Sequence, residues 1–101
     1  MNRDMAVIKV LSALAEPTRL RALKIIWDGG EHCVCEMMER LDATQSRVSR
    51  HMGVLRNAGL IVDRRDAQWV RCRRNPALPE PISQIVAAAV AAQDWQQEDG
   101  S

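Results

Sequence analysis

The sequence predicts a single, mainly α-helical domain over residues 1–101: a winged helix-turn-helix of about five helices with a two-stranded wing. Three observations predict this class. Apolar residues recur at helical spacing through most of the chain, a three-residue turn joins a short helix to a longer one, and two short strand-like runs follow. The chain is 47% apolar and 27% charged, which supports one core and excludes a disordered chain.

Two helices precede the turn. The spacing predicts the first helix over residues 4–15 and a second that begins at Pro17, because the first turn of a helix does not use the N–H that proline lacks. Gly29 and Gly30 are expected to end the second helix. The apolar residues that define the two helices are Met5, Ile8, Leu11, Leu14, Leu20, Leu23, Ile26 and Trp27.

The predicted helix-turn-helix occupies residues 33–58. Its first helix covers 33–41 and its second 45–57, joined by residues 42–44. Gly59 then allows the left-handed conformation that commonly ends a helix. The residues expected to face the core are Val34, Met37, Met38, Leu41, Val48, Met52 and Leu55.

The wing is predicted over residues 60–75, with strands at 60–62 and 69–72 around a connection of uncertain length. A last helix follows over 82–97, and residues 98–101 are expected to fray. No charged residue lies between Ile82 and Gln93, so this helix would expose an apolar patch in a monomer. We therefore expect a second chain to cover it.

The charge and composition of the chain narrow the classes of function that we expect for it. Residues 40–74 carry nine Arg and three Asp, a net charge of +6, which is typical of a surface that meets phosphates. An enzyme is not expected, because the sequence has no glycine-rich phosphate loop and suggests no group to orient a Cys–His pair. No apolar run is long enough to cross a bilayer and the start is unlike a signal peptide, so we expect a soluble, cytoplasmic protein.

The start of the helix at 45–57 carries the side-chain types that read DNA. Gln pairs with adenine, Arg with guanine, and Ser with base edges or phosphate, so direct readout in a major groove is predicted. Two wing arginines are expected to contact phosphates. The predicted DNA-binding residues are Gln45, Ser46, Arg47, Ser49, Arg50, His51, Arg64 and Arg65.

Several motifs, in order and at the right separations, resemble the ArsR/SmtB repressors. They are Leu14–Leu20, Cys33–Glu36, Gln45–His51, Leu55–Ile61 and Trp69–Arg71. The resemblance implies a homodimer, paired through helices 4–15 and 82–97, that binds double-stranded operator DNA. The apolar last helix and the polar start of the helix at 45–57 together predict that the dimer binds an inverted repeat, with its two reading helices in successive major grooves. The resemblance also implies release when an inducer, usually a metal or metalloid, binds.

The resemblance also suggests the inducer. In the arsenic- and antimony-responsive branch, Cys-Val-Cys in the corresponding helix is followed by a third Cys, where this chain has Met38. Trivalent arsenic or antimony, with no organic cofactor, is therefore expected to bind Cys33 and Cys35. A third donor is left open among His32, Cys72, water and a small thiol such as glutathione. The last helix has no His, so the terminal zinc site of the family's other branch is not expected.

The spacing of Cys33 and Cys35 leaves more than one possible chemistry for the two thiols. Positions i and i+2 of a regular helix point to nearly opposite sides, so Cys33 and Cys35 are expected to share one ion only if the helix start unwinds. A disulfide between them would be strained for the same reason. The alternative function is that the cysteines sense oxidants, reactive sulfur or another soft metal. Strand alternation predicts a buried Cys72 on the face of Val70, and His32 is expected to be a ligand or a solvated loop residue.

Overall fold

The computed structural model describes residues 3–95, which form five helices and three short strands in the predicted order. Among these residues, no helix combines the length and apolar character needed to cross a membrane. The helices are α1 (Arg3–Leu14), α2 (Pro17–Ile26), α3 (Val34–Leu41), α4 (Gln45–Asn57) and α5 (Glu80–Ala92). The strands are β1 (His32–Cys33), β2 (Ile61–Asp66) and β3 (Trp69–Arg74).

The helix-turn-helix, α3 and α4, matches the prediction closely. Asp42 ends α3 in the left-handed conformation, at a φ of 51°, and so redirects the chain within three residues. Thr44 begins α4 as a cap, because its hydroxyl accepts the N–H of Arg47 at 3.2 Å. After α4, Gly59 has a φ of 81°, the conformation for which glycine was expected there.

The sheet is larger than predicted. Its three antiparallel strands lie in the order β1-β3-β2, and β2 pairs with β3 from Ile61 opposite Arg74 to Asp66 opposite Trp69. The prediction that residues 63–68 form a connection is wrong, because all but Ala67 and Gln68 continue the strands. Ala67, at a φ of 56°, makes the tight turn without the Asn-Gly or Asp-Gly signal expected there.

The core lies where the helices meet the start of the wing. Val48, Met52 and Leu55 of α4 are buried as predicted, and α5 contributes Val86. In α3, Met37 and Leu41 are buried while Val34 and Met38 pack partly buried against the core. The prediction that the last helix continues to residue 97 is wrong for residues 93–95, since α5 ends at Ala92; residues 96–101, including the predicted frayed tail, lie outside the described residues.

The exposed apolar surface lies mainly on α1. Met5, Ile8 and Leu11 are about half exposed, at 50%, 53% and 45%, whereas Val10 and Ala13 face the core. On α5 the exposed apolar residues are small alanines. The patch expected on the last helix is therefore carried chiefly by the large side chains of the first helix, which packs beside α5.

Candidate thiol site and DNA-reading surface

Cys33 and Cys35 lie together at the start of α3. Cys33 is the residue before the helix, in an extended conformation, and its Sγ accepts the N–H of Glu36 at 3.4 Å. The Sγ atoms of Cys33 and Cys35 are 2.6 Å apart. The prediction that helical spacing separates them unless the helix unwinds is wrong, because Cys33 is not helical. The helical geometry from which a strained disulfide was predicted is therefore absent at Cys33, and the strain of such a bond stays a prediction.

The two thiols have different acidities. The hydrogen bond from the Cys35 thiol, followed by the bond from the Glu36 N–H, lowers the pKa of Cys33. The same contact raises the pKa of Cys35. Cys33 is therefore the more acidic of the two thiols, and the thiolate is the form of cysteine that binds metals and attacks electrophiles.

A groove of about 330 Å³ extends from this pair toward the wing and the start of α4. Besides the two cysteines, it is lined by Val34, Met38, Gln45, Gln68, Trp69 and Val70. Trp69 is 53% exposed. The thiol pair thus shares one concave surface with the first residue of α4 and with the wing.

Cys72 is buried, as strand alternation predicts. It is 5% exposed, burial raises its pKa to about 11, and its S–H donates to the carbonyl of His32 at 3.3 Å. In the sheet, Cys72 lies opposite His32 and Arg71 lies opposite Cys33. Because neighbouring residues of a strand point to opposite faces, Cys72 and Cys33 face away from each other.

His32 is buried rather than solvated, so the loop expectation is wrong. Its ring is 6% exposed, with Nδ1 2.8 Å from a Glu36 oxygen and Nε2 3.1 Å from an Asp28 oxygen. Burial works to lower the pKa of His32, but the hydrogen bonds to the two carboxylates outweigh it and raise the pKa. Both ring nitrogens are engaged, so His32 can bind an ion only by losing one of these bonds.

The raised pKa of His32 predicts a pH-dependent contribution to stability. Protonated His32 stabilises the fold fully below the unfolded-state pKa of about 6.5, and this contribution is lost as the pH rises through the higher folded-state pKa. Urea unfolding should therefore show the advantage of the wild type over His32→Gln at its full size in acid, and shrinking as the pH rises above the unfolded-state value of about 6.5. A difference that stays constant as the pH rises would contradict the assignment.

Within residues 3–95, no three side chains from His, Cys, Asp and Glu are grouped to hold a metal ion. The chain therefore offers one close pair of sulfur donors, with the Met38 thioether beside it in the groove.

The exposed face at the start of α4 carries most of the predicted DNA-binding residues. Gln45, Ser46, Arg47, Ser49 and Arg50 are all exposed. The structure turns His51 away from this face. Its ring is only 14% exposed, with Nδ1 3.3 Å from Arg19 and 3.7 Å from Glu16, so it joins α4 to the start of α2.

The two wing arginines that were predicted to contact phosphates differ in their partners within the protein. Arg64 donates two hydrogen bonds of 2.6 Å to the carboxylate of Glu31, the residue before β1. Arg65 is exposed. The bidentate pair between Glu31 and Arg64 thus joins the wing to the residue that precedes β1, the strand that contains Cys33.

Sequence reasoning missed three features of this region: strand β1, the burial of His32 and the place of Trp69 in the groove. The sequence does contain one indication that His32 is paired with carboxylates, because Asp28 and Glu36 lie four residues before and after it. Strand β1 has only two residues, too few to show alternation.

The chain resembles known regulatory proteins. Residues 16–62 match the family model described as bacterial regulatory protein, arsR family. The arsenic resistance transcriptional regulator ArsR1 of Pseudomonas putida is 40% identical over 91 residues, which cover 89% of this chain and 71% of that protein. The arsenical resistance operon repressor of Escherichia coli is 37% identical over 81% of this chain and 70% of its own length.

A solved structure has the same fold. The homodimeric winged helix-turn-helix DNA-binding domain of Mb0332 from Mycobacterium bovis superposes with a TM-score of 0.73 at 24% identity. The match covers 88% of this chain and 79% of that one.

Proposed function

The chain belongs to the ArsR family of bacterial regulatory proteins, and from this premise we propose that it is a repressor released from its operator when trivalent arsenic or antimony binds Cys33 and Cys35. Proteins of this family and the relatives named above are DNA-binding transcriptional regulators, and so is this chain, which is not an enzyme.

One observation carries the proposal: the Sγ atoms of Cys33 and Cys35 are 2.6 Å apart at the start of the helix-turn-helix. Thiolates are soft donors that favour soft ions. Because Cys33 lies before the helix, rotation of the two side chains is enough for both sulfurs to bind one atom, and α3 does not have to unwind. Water or a small cellular thiol such as glutathione completes the coordination of the inorganic ion.

The surroundings of the pair supply a path to DNA. Gln45 at the start of α4 and Trp69 of the wing line the same groove, while Glu31 holds Arg64. An ion at the thiols changes the contacts of both DNA-binding elements directly, so no unwinding of α3 is needed. This release requires that the ion bind the free protein more tightly than the DNA complex.

The DNA complex we propose is a dimer on an inverted repeat, with each α4 in a major groove and the wings beside the phosphates. The exposed side chains at the start of α4 and the homodimer of the Mb0332 domain support it. Arg65 is the freer of the two wing arginines for phosphate contact, since Arg64 binds Glu31.

Arg47→Ala is expected to weaken binding to the selected operator by about 1–3 kcal/mol if the guanidinium reads a base. Arg65→Ala should instead reduce the salt dependence, removing about one unit of slope, with little loss of sequence preference. Arg21→Ala, an exposed arginine of α2, is the control. Fluorescence anisotropy against operator and scrambled DNA over a salt series measures both effects, and equal losses on both DNAs for Arg47→Ala would argue against base readout.

The test of the inducer is a titration of arsenite into the complex of reduced protein with an operator selected from random DNA. Release of the DNA by arsenite or trivalent antimony, with little effect of Mg²⁺, is the expected result. A complex that stays bound while arsenite occupies the thiols would refute the proposed function.

A second candidate function, redox sensing, is favoured by the same contact. The exposed pair can form a disulfide as two thiols lose two protons and two electrons to peroxide, which becomes two waters. Peroxide treatment should then release DNA without arsenite, and dithiothreitol should restore binding.

A further inference from the structure

We propose that the groove beside Cys33 and Cys35 accepts a monosubstituted trivalent arsenical, an arsenic atom that carries one carbon substituent, with that substituent packed against Trp69. This proposal rests on the proposed function, because it takes the two thiols to be the arsenic site. It adds the ligand's chemical class and a specificity-determining residue on the wing.

The donor set is the first argument. Trivalent arsenic forms three bonds, and this site supplies two thiol sulfurs. Cys72 faces the other side of the sheet and donates its S–H to His32, whose ring nitrogens are both engaged with carboxylates. Inorganic arsenite therefore needs a third ligand from solution, whereas an arsenical with one carbon substituent is complete with two sulfurs.

The lining of the groove is the second argument. Val34, Met38, Trp69 and Val70 present apolar surface next to the two sulfurs, with Gln45 and Gln68 also lining the groove. An indole that is 53% exposed beside a reactive pair is a ready contact for an aryl or alkyl group. Such a substituent would contact the wing on one side and the helix-turn-helix on the other.

The binding reaction is a balanced exchange without a redox step. Two As–O bonds of the hydrated arsenical break and two As–S bonds form, to Cys33 and Cys35. The two thiol protons leave with the two hydroxyl groups as water, and arsenic remains trivalent.

The substituent would act directly on the wing. Trp69 begins β3 and pairs with Asp66 at the end of the hairpin that carries Arg64 and Arg65. A group wedged between Trp69 and Met38 therefore changes the position of the wing tip relative to α4. We expect an organic arsenical to release DNA at lower concentration than arsenite.

The experiment compares phenylarsine oxide and arsenite by calorimetry with the reduced full chain. The wild type should bind phenylarsine oxide at least about tenfold more tightly than arsenite. Trp69→Ala should lose about threefold to tenfold in affinity for phenylarsine oxide, the range of an aromatic contact, while arsenite affinity is unchanged. Trp69→Phe should recover most of the loss, and Trp95→Ala, at a tryptophan 74% exposed, is the matched control.

The outcomes separate this proposal from the one on which it rests. Equal loss of both arsenicals in Trp69→Ala, or equal affinity of the wild type for both, overturns the contact with the substituent while the thiol site stands. Arsenite affinity that is unchanged in Cys33→Ser refutes the thiol site and both proposals with it. Circular dichroism of each variant confirms that the fold is intact.

Discussion

Cys33→Ser is expected to yield a protein that binds its operator normally and no longer releases it with arsenite. The hydroxyl keeps the size of the thiol and can still cap α3, but it does not supply a thiolate. We expect the arsenite concentration for half-release to rise by more than about a hundredfold, since even supporting residues of metal sites contribute 10–100-fold to affinity. The fluorescence anisotropy of labelled operator during an arsenite titration measures this half-release concentration.

Cys72→Ser is the matched control, since it removes a thiol that faces the other side of the sheet. The protein should be modestly less stable, because a hydroxyl replaces a buried thiol, yet fully inducible. A Cys72→Ser protein as unresponsive as Cys33→Ser would make Cys72 the third donor. Normal release of the Cys33→Ser/Cys35→Ser double variant would refute the site.

Ile8→Glu combined with Leu11→Glu is expected to abolish dimer formation and, with it, tight operator binding. Both side chains are about half exposed on the apolar face of α1, and two charges there would have to be buried in a dimer. Linking two binding units raises avidity by about 10²–10⁴, so operator affinity should fall by at least about a hundredfold. Sedimentation equilibrium and anisotropy measure the two effects together.

Lys9→Glu tests whether added negative charge on the same helix is enough to cause this loss, because Lys9 is exposed and is not part of the apolar set. It should remain dimeric. A double variant of Ile8 and Leu11 that stays dimeric at micromolar concentration would place the interface elsewhere.

The helices were predictable because their ends are encoded locally. Thr44 caps α4 through its own hydroxyl, Pro17 starts α2, and Gly59 takes the left-handed conformation after α4. Each signal lies within a few residues of the boundary that it sets, so the sequence pattern alone places α4 at 45–57. The end of α5 has no such signal, and its predicted extent was too long.

The candidate thiol site was predictable in its residues but not in its geometry. Cys33 is extended as the cap of α3 and as a residue of β1, which pairs with β3 some 40 positions further along the chain. No local pattern predicts that pairing, which together with the position of Cys33 as the cap of α3 holds this residue outside the helix. The burial of His32 has the same origin, since its strand neighbour is the buried Cys72.

The pairing of β1 with β3 also restricts insertions and deletions in the loop at residues 29–31. With the same two strand positions still paired, one residue added before His32 would move the histidine to the position of Cys33, and one residue removed would move Cys33 to the position opposite Cys72. The histidine would leave its two carboxylates in either case, and the deletion would put a thiol in its place in the core. The length of this loop is therefore part of the proposed thiol site, and we expect the chain to tolerate single substitutions in the loop better than a change in its length.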